Sequence, residues 1–426
     1  MKTPKTFVSE TLQEILSLRT PFVTHDRLMF IPHQGMARND RYNLMNWRSD
    51  NALTLAQYIL SHDLQKDKIL TIAVSVNDNL DTLNNYVATT YPGRKVEFVR
   101  FLGNISTSER WHFYRLLTES SHVFTSITYP LRPFSRRKSV TYVDLGYFPM
   151  PFKNDIFAKS DPLYMGLDRF NDKDLDYYIC NSELAIRLIM PSMNVDYGHY
   201  LNLGNCRNDY LLSDEYPSTV RKVLEQSVDY PVKKIVLYTP THRDYEEGQK
   251  EASRELLGYD MDLKRFGDRL KENGILIVCK LHPKQNIAAI KRSLPPSITI
   301  HQATEKYGLS ELMKASDALL TDYTSGYYDY LLLDKPVIFN FHDVELYKST
   351  RGFTFTPIES ICAGEIVKDA TGLEKALSCL DENADKFGAM RHFVKNLVYS
   401  YSDTGSTERI YNRFLSSDAS CNYVTK

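Results

Sequence analysis

Long apolar runs are missing from this 426-residue chain, and so are cysteine pairs and any excess of charge of one sign. No stretch approaches the ~18 continuous apolar residues that a membrane-spanning helix needs. The opening "MKTPKTFVSETLQEILSLRT" lacks the apolar core of a signal peptide and reads as a polar helix. The six cysteines, at 180, 206, 279, 362, 379 and 421, form neither a CxxC nor a metal-ligand spacing. Cys279 lies in an apolar strand-like run and reads as a buried free thiol, which fits a reducing cytosol. Lys and Arg number 52 against 53 Asp and Glu, so no global field recruits nucleic acid. Any charged partner must be met by a local patch. There is no internal repeat and no low-complexity tract. These absences leave an intracellular globular protein, at most peripheral to a membrane.

What is present is a hydrophobic content of 42% and enough length for about two domains. Short apolar runs alternate with helical patterns. In the first half "RLMFIP", "KILTIAVSV", "KVEFVRFL", "HVFTSI", "SVTYVDLG" and "YYICNS" read as strands. Between them "NALTLAQYILSHD" and "ERWHFYRLLTESS" carry the i, i+3, i+4 spacing of helices. The second half repeats this grammar with "KKIVLYTP", "ILIVCKLHP", "ITIHQ", "DALLTD" and "KPVIFNF", and with helices over 262–273, 308–315 and 325–333. Apolar strands separated by helices predict an α/β chain with parallel sheets covered on both faces. The seam falls near 205–230. Two such domains face to face would leave a cleft at the carboxyl ends of their strands, where ligands of open α/β sheets bind.

Polar residues gather at the strand ends of the second half. In "LTDYTSGYYDYLLLDKPVIFNF", Asp322 ends a strand and Thr324 and Ser325 sit where the next helix begins. Hydroxyls there either cap free N–H groups or help a helix N-terminus hold an anion such as phosphate. "YTPTHRD" adds Thr239, Thr241, His242 and Arg243; "CKLHPKQ" adds Lys280, His282 and Lys284; "LYKSTRGF" adds Lys348 and Arg351. One basic strand end is a solvated loop, but several on one sheet edge build a cationic pocket that suits a pyrophosphate without a metal. Asp260 and Asp262 in "GYDMDLKRF" imitate a metal-binding pair, yet read more simply as helix-start residues. No metal and no cofactor are expected.

Taken in order, "GNCRNDYLL", "YTPTHRD", "KLHP", "LTDYTSGYYDYLLLDKPVIF", "YKSTRGFTF" and the closing "YSDTGSTERIYNRFL" resemble the CDP-glycerol glycerophosphotransferase family of teichoic-acid and capsule polymer synthesis. The similarity spans about residues 27–415. It implies a GT-B fold of two Rossmann-like domains: an acceptor-side domain over 1–215, a CDP-donor-binding domain over 216–400, and a helix and tail over 401–426 that pack back on them. It implies a transferase in which an acceptor hydroxyl attacks the β-phosphate of CDP-glycerol, glycerol phosphate is transferred and CMP leaves. Donor-binding residues would be Thr241, Arg243, Lys280, His282, Asp322, Thr324, Ser325, Asp329 and Arg351. Of these, Lys280, His282 and Arg351 would meet the donor phosphates as CMP departs, with His282 counted among the catalytic groups. Tyr327, Tyr328 and Tyr330 read as packing. Arg207 and Asp209 would order the hinge between domains.

One departure stands out. The family carries a Trp-His-Gly-Thr-Pro-Leu-Lys run whose histidine is taken as the general base. Here the run is "YFPMPFK": Pro151 and Lys153 match, but Phe148 replaces the histidine and cannot take a proton. His33, after the first strand, is the leading substitute base, or else a loop histidine without a role; Asp144 comes next. The resemblance further implies a lipid-linked or polysaccharide acceptor, met from the cytoplasmic face of the membrane. "LRPFSRRKS" offers Arg132, Arg136, Arg137 and Lys138 beside Phe134 for anionic lipid, or is a solvated turn. CDP-ribitol phosphotransfer, GT-B glycosyl transfer from a nucleotide sugar, and binding without catalysis remain alternatives.

Overall fold

Runs of Ile, Val, Leu and Phe bounded by turn residues form strands, and the amphipathic segments between them form the crossover helices. The computed structural model describes residues 26–33, 47–76, 78–102, 104–126, 140–146, 149–153, 175–193, 195–241, 256–281, 287–301, 307–380 and 386–416. The chain divides into two compact units, neither of them one continuous stretch. The first comprises Met1–Tyr147, Gly166–Asp209 and Asp403–Lys426; the second comprises Phe148–Met165 and Tyr210–Ser402.

The first unit is built on β1 (Arg27–Ile31), β2 (Ile69–Ser75), β3 (Val96–Leu102), β4 (Ser120–Thr125), β5 (Thr141–Asp144), β6 (Tyr177–Cys180) and β7 (Tyr200–Asn202). They pair in the order β3-β2-β1-β4-β5-β6-β7, all parallel. Central β1 is buried along its whole length, with Phe30 beside Ile72 on one side and Phe124 on the other. Its neighbouring helices start on side-chain caps: Asp50 for Asn51–Ser61, Asn79 for Leu80–Thr90, and a Ser106/Glu109 capping box for Thr107–Glu119. The short edge strand β7 has too few residues to show an alternating pattern and escapes a sequence reading.

The helix Ser406–Phe414 completes this unit from the far end of the chain. Ile410 joins the core around Phe30 and Ile72, and Phe414 packs on Phe124 and Tyr177. Gly405 gives that helix no capping side chain. The Asp209 carboxylate takes the part, accepting from Ser406 N at 2.9 Å and Thr407 N at 2.8 Å. Gly204 has φ +83°, and a Cβ there would lie 2.4 Å from Ser406 Oγ, so the "GNCRND" loop and the closing segment fit only with glycine. Asp209 thus orders the chain within the first unit.

The second unit carries β8 (Lys234–Thr239), β9 (Ile275–Cys279), β10 (Ile298–Ile300), β11 (Ala318–Thr321), β12 (Val337–Asn340) and β13 (Glu365–Val367). Their order is β10-β9-β8-β11-β12-β13, again all parallel. Both sheets therefore wind outward from a first central strand in the same sense, although the two halves share no sequence repeat. Asp262 caps Leu263–Glu272 through Lys264 N and Arg265 N, as its helix-start reading requires. The helix Gly326–Leu331 is braced by Gly388–Val398: Arg391 Nε meets Asp334 at 2.8 Å, and the Tyr399 hydroxyl donates to Asp329 at 3.3 Å. Residues 149–153 also belong here. Phe152 packs on Tyr327, Tyr328 and Phe353, and Lys153 bridges to Phe353. Among the described residues no helix is long and apolar enough to cross a membrane.

Candidate functional site

A sheet whose strand order reverses leaves a crevice beyond the carboxyl ends of the two strands at the reversal. In the second unit those strands are β8 and β11, ending at Thr239 and Thr321. Thr321 Oγ1 donates to Thr239 O at 3.0 Å. One residue further on, both Asp322 oxygens accept from Thr241 N, at 2.9 and 3.0 Å, and Oδ1 also accepts from Tyr323 N at 2.5 Å. Asp322 is 1% exposed. Its carboxylate ties the two outgoing loops together, and its negative charge strengthens each of those bonds.

Exposure separates the candidates at this edge. Asp322 and Asp329 are buried, whereas Thr241, Lys280, Thr324, Ser325 and Arg351 are half-buried and present surface. Lys280 follows β9, the strand next to β8, and its amide donates to Tyr238 O at 2.8 Å. Thr324 Oγ1 accepts from Gly326 N at 3.3 Å, while Ser325 makes no capping bond with its side chain. Arg351 closes the helix Val344–Thr350 beyond β12, where a cation suits the negative end of the helix. Gly352, at φ +73°, turns the chain there, and Phe353 then stacks on Tyr347 and packs against Tyr323. Asp329 belongs to the packing against Tyr399.

The tyrosines of the long motif are structural. Tyr327 donates to Ile361 O and accepts from Ala363 N, Tyr330 pairs with Ser316 Oγ, and Tyr323 donates to Asp343. All three rings, and that of Tyr328, are fully buried. His242, Arg243, His282 and Lys284 lie outside the described residues, as do Phe134, Phe148 and the basic group Arg132, Arg136, Arg137 and Lys138.

The first sheet reverses between β1 and β4. His33 follows β1 and Ser126 follows β4, and both bond to Asp50: His33 N donates to Oδ2 at 3.0 Å and Ser126 Oγ to Oδ1 at 2.7 Å. Burial, aided by the charge of Arg207, pushes the His33 imidazole down to about 4. Its ring is therefore neutral at physiological pH. Asp144 ends β5, is buried, and accepts from Gly146 N at 2.8 Å. Around it lies an asparagine network that sequence reading passed over. Asn205 donates to Leu145 O at 2.7 Å, and Asn181 Oδ1 accepts from Asn205 N and Asn208 Nδ2. Asn51 donates to the same Leu145 O, and these four asparagines, scattered between 51 and 208, carry no local signature; only their convergence reveals them.

This pair of doubly wound parallel sheets has a counterpart among known proteins. The model of the CDP-glycerol:poly(glycerophosphate) glycerophosphotransferase family matches residues 54–416. The chain belongs to that family. Teichoic acid ribitol-phosphate polymerase TarK of Staphylococcus aureus is 24% identical over 82% of this chain and 68% of its own. The teichoic acid glycerol-phosphate primase of Bacillus subtilis is 29% identical over 56% of this chain and 56% of its own. The chain thus spans little more than half the length of that primase. A variant of the wall teichoic acid polymerase TagF, soaked with CDPG, superposes with a TM-score of 0.70 at 20% identity, covering 96% of this chain and 94% of that one. The fold is accordingly GT-B-like, and the family is one of transferases.

Proposed function

We propose that the chain transfers a polyol phosphate, glycerol phosphate foremost, from a CDP-linked donor to an acceptor hydroxyl in the synthesis of a teichoic-acid-like or capsular polymer. The observation that carries this reading is the second unit's switch point, where Thr241 and Thr324 flank the Asp322 clamp and Lys280 follows the neighbouring strand. In the reaction the acceptor oxygen bonds to the β-phosphorus, the bond to the bridging oxygen breaks, and CMP leaves with that electron pair. Lys280, His282 and Arg351 offset the negative charge that grows on the departing CMP. Thr241, Arg243, Thr324 and Ser325 hold the phosphates by hydrogen bonds. These groups supply cationic charge themselves, so the reaction requires neither metal nor organic cofactor.

The acceptor proton goes to His33, neutral at working pH because its conjugate acid titrates near 4. A base that weak contributes less than one matched to neutral pH, so charge stabilisation at the donor carries most of the rate. The acceptor is a lipid-linked or polysaccharide hydroxyl. The protein works at the cytoplasmic face of the membrane, with residues 132–138 supplying the cations that meet anionic lipid. Release of CMP from CDP-glycerol should exceed CMP release from CDP-ribitol and nucleotide release from UDP-sugars, and should persist in a metal chelator. Nucleotide release from a UDP-sugar alone would replace this reading with glycosyl transfer. Phe148 in place of the family's histidine favours a second reading, binding without turnover. Donor binding by calorimetry with no CMP release across an acceptor panel would establish it.

A further inference from the structure

We infer that Asp50 is a positioning residue which holds His33 in place at the reversal of the first sheet, a role that rests on the reading of His33 as the proton acceptor. As the cap of Asn51–Ser61, Asp50 needs only the bond it accepts from Leu53 N at 3.1 Å. Its other two bonds reach far along the chain. Oδ2 takes the His33 amide and Oδ1 takes the Ser126 hydroxyl, which in turn accepts from Ala52 N at 2.9 Å. The adjoining Asn51 extends the arrangement: Nδ2 donates to Leu145 O at 3.2 Å and to Gly146 O at 2.5 Å, and Oδ1 accepts from Arg207 N at 3.0 Å. Two consecutive side chains therefore collect the outgoing ends of β1, β4 and β5 and the start of the helix Cys206–Leu212.

The chemistry selects a carboxylate at position 50. Serine or threonine could cap the helix but offers one oxygen to three donors. Asparagine caps as well as aspartate, yet has one oxygen; with that oxygen kept on Leu53 N and the Ser126 hydroxyl, its NH₂ would face the His33 N–H. Asp50 is 3% exposed, so a donor left facing another donor has no water to turn to. Burial pushes the Asp50 carboxyl up, while its hydrogen bonds and the charge of Arg207 pull it back. With Leu53 N, Ser126 Oγ and His33 N all donating to its two oxygens, the carboxyl has no acceptor for a proton of its own, and the geometry is that of a carboxylate.

Asp50→Asn in the full-length protein separates positioning from capping, because the helix keeps its cap. With histidine-selective isotope labelling, and the His33 signal assigned by its loss in His33→Gln, the His33 ring resonance should move in Asp50→Asn. Turnover should fall about 10- to 100-fold, the scale of a misplaced reacting group, with donor affinity unchanged. Asp50→Asn combined with His33→Gln should be no slower than His33→Gln alone, since both changes act through one group. Ser126→Ala removes one anchor of the carboxylate and should move the same signal by less. A His33 signal unmoved in both variants would overturn the inference, as would additive losses in the double variant. A signal that moves while His33→Gln keeps full turnover supports the positioning by Asp50 and removes His33 as the base.

Discussion

Removing the Asp322 carboxylate should cost the second unit more in stability than its single position suggests. Asp322→Ala strands the amides of Thr241 and Tyr323, both of which it now satisfies from a site that is 1% exposed. A buried donor left without a partner costs about 1–3 kcal/mol, so two give about 2–6 kcal/mol. That is a large part of the ~5–15 kcal/mol by which domains are stable. Asp322→Asn retains Oδ1, which both amides can share, but loses the charge and sets its NH₂ in the Oδ2 place beside Thr241 N, so it should cost about 1–2 kcal/mol. Thermal and urea unfolding of the three proteins, with CDP-glycerol affinity measured on each folded one, reads both effects. Stability should fall in graded steps, Ala beyond Asn, with donor affinity falling as the two loops drift apart. If Asp322→Ala unfolds like the wild type while donor affinity drops tenfold, the carboxylate is a ligand group and the clamp argument fails.

Arg351→Ala and His282→Ala should each reduce donor use tenfold or more, the loss of a charge-assisted contact worth ~1.5–3 kcal/mol; unchanged turnover in both would take them out of the site. Asp78, after β2, is pushed up to about 6 by burial while it accepts from Ser75 N. Its folded value lies above the unfolded one, so its contribution to stability falls as pH rises from about 4 through 6. Asp78→Asn should therefore gain stability over the wild type at pH 7 and lose that advantage near pH 4; a difference independent of pH would count against the assignment. The buried Tyr328 hydroxyl has no hydrogen-bond partner among the described residues. Tyr328→Phe should leave the fold unchanged and raise stability by about 1 kcal/mol in denaturant unfolding, whereas a loss would mean that the hydroxyl is bonded.

Much of this architecture was legible from the apolar runs. "RLMFIP" and "DALLTD" became β1 and β11, and "NALTLAQYILSHD" became the helix Asn51–Ser61 behind its cap. Three-residue β10 shows an Ile-Thr-Ile alternation, whereas the equally short β7 (Tyr-Leu-Asn) and β13 (Glu-Ile-Val) show none, which is why those two went unread. In the second unit, the placing of polar residues at strand ends follows directly from where parallel strands stop. What sequence could not divide was surface from scaffold. Asp322 and Thr324 stand two residues apart in one motif, yet one is sealed among amides and the other half-buried. Asp50 announces itself only as a helix cap, because its bonds to His33 and Ser126 depend on a strand order that local pattern does not encode.

The cap that Asp209 places on Ser406–Phe414 also bears on the order in which the protein can be made. The first sheet's strands leave the ribosome early, but Ile410 and Phe414, which cover its core, follow only after the second unit. Between Asp209 and its partners at 406 and 407 lies nearly the whole of the second unit. At ~5–20 residues per second, roughly 200 residues take about 10–40 s to synthesise. Through that interval the nascent first unit exposes the apolar surface around Phe124 and Tyr177 that the last helix will cover. The second unit, whose strands β8 to β13 follow one another without interruption, can complete its sheet first. A chain stopped before residue 406 would keep the second unit's sheet and leave the first without its lid, a ready substrate for chaperones and proteases.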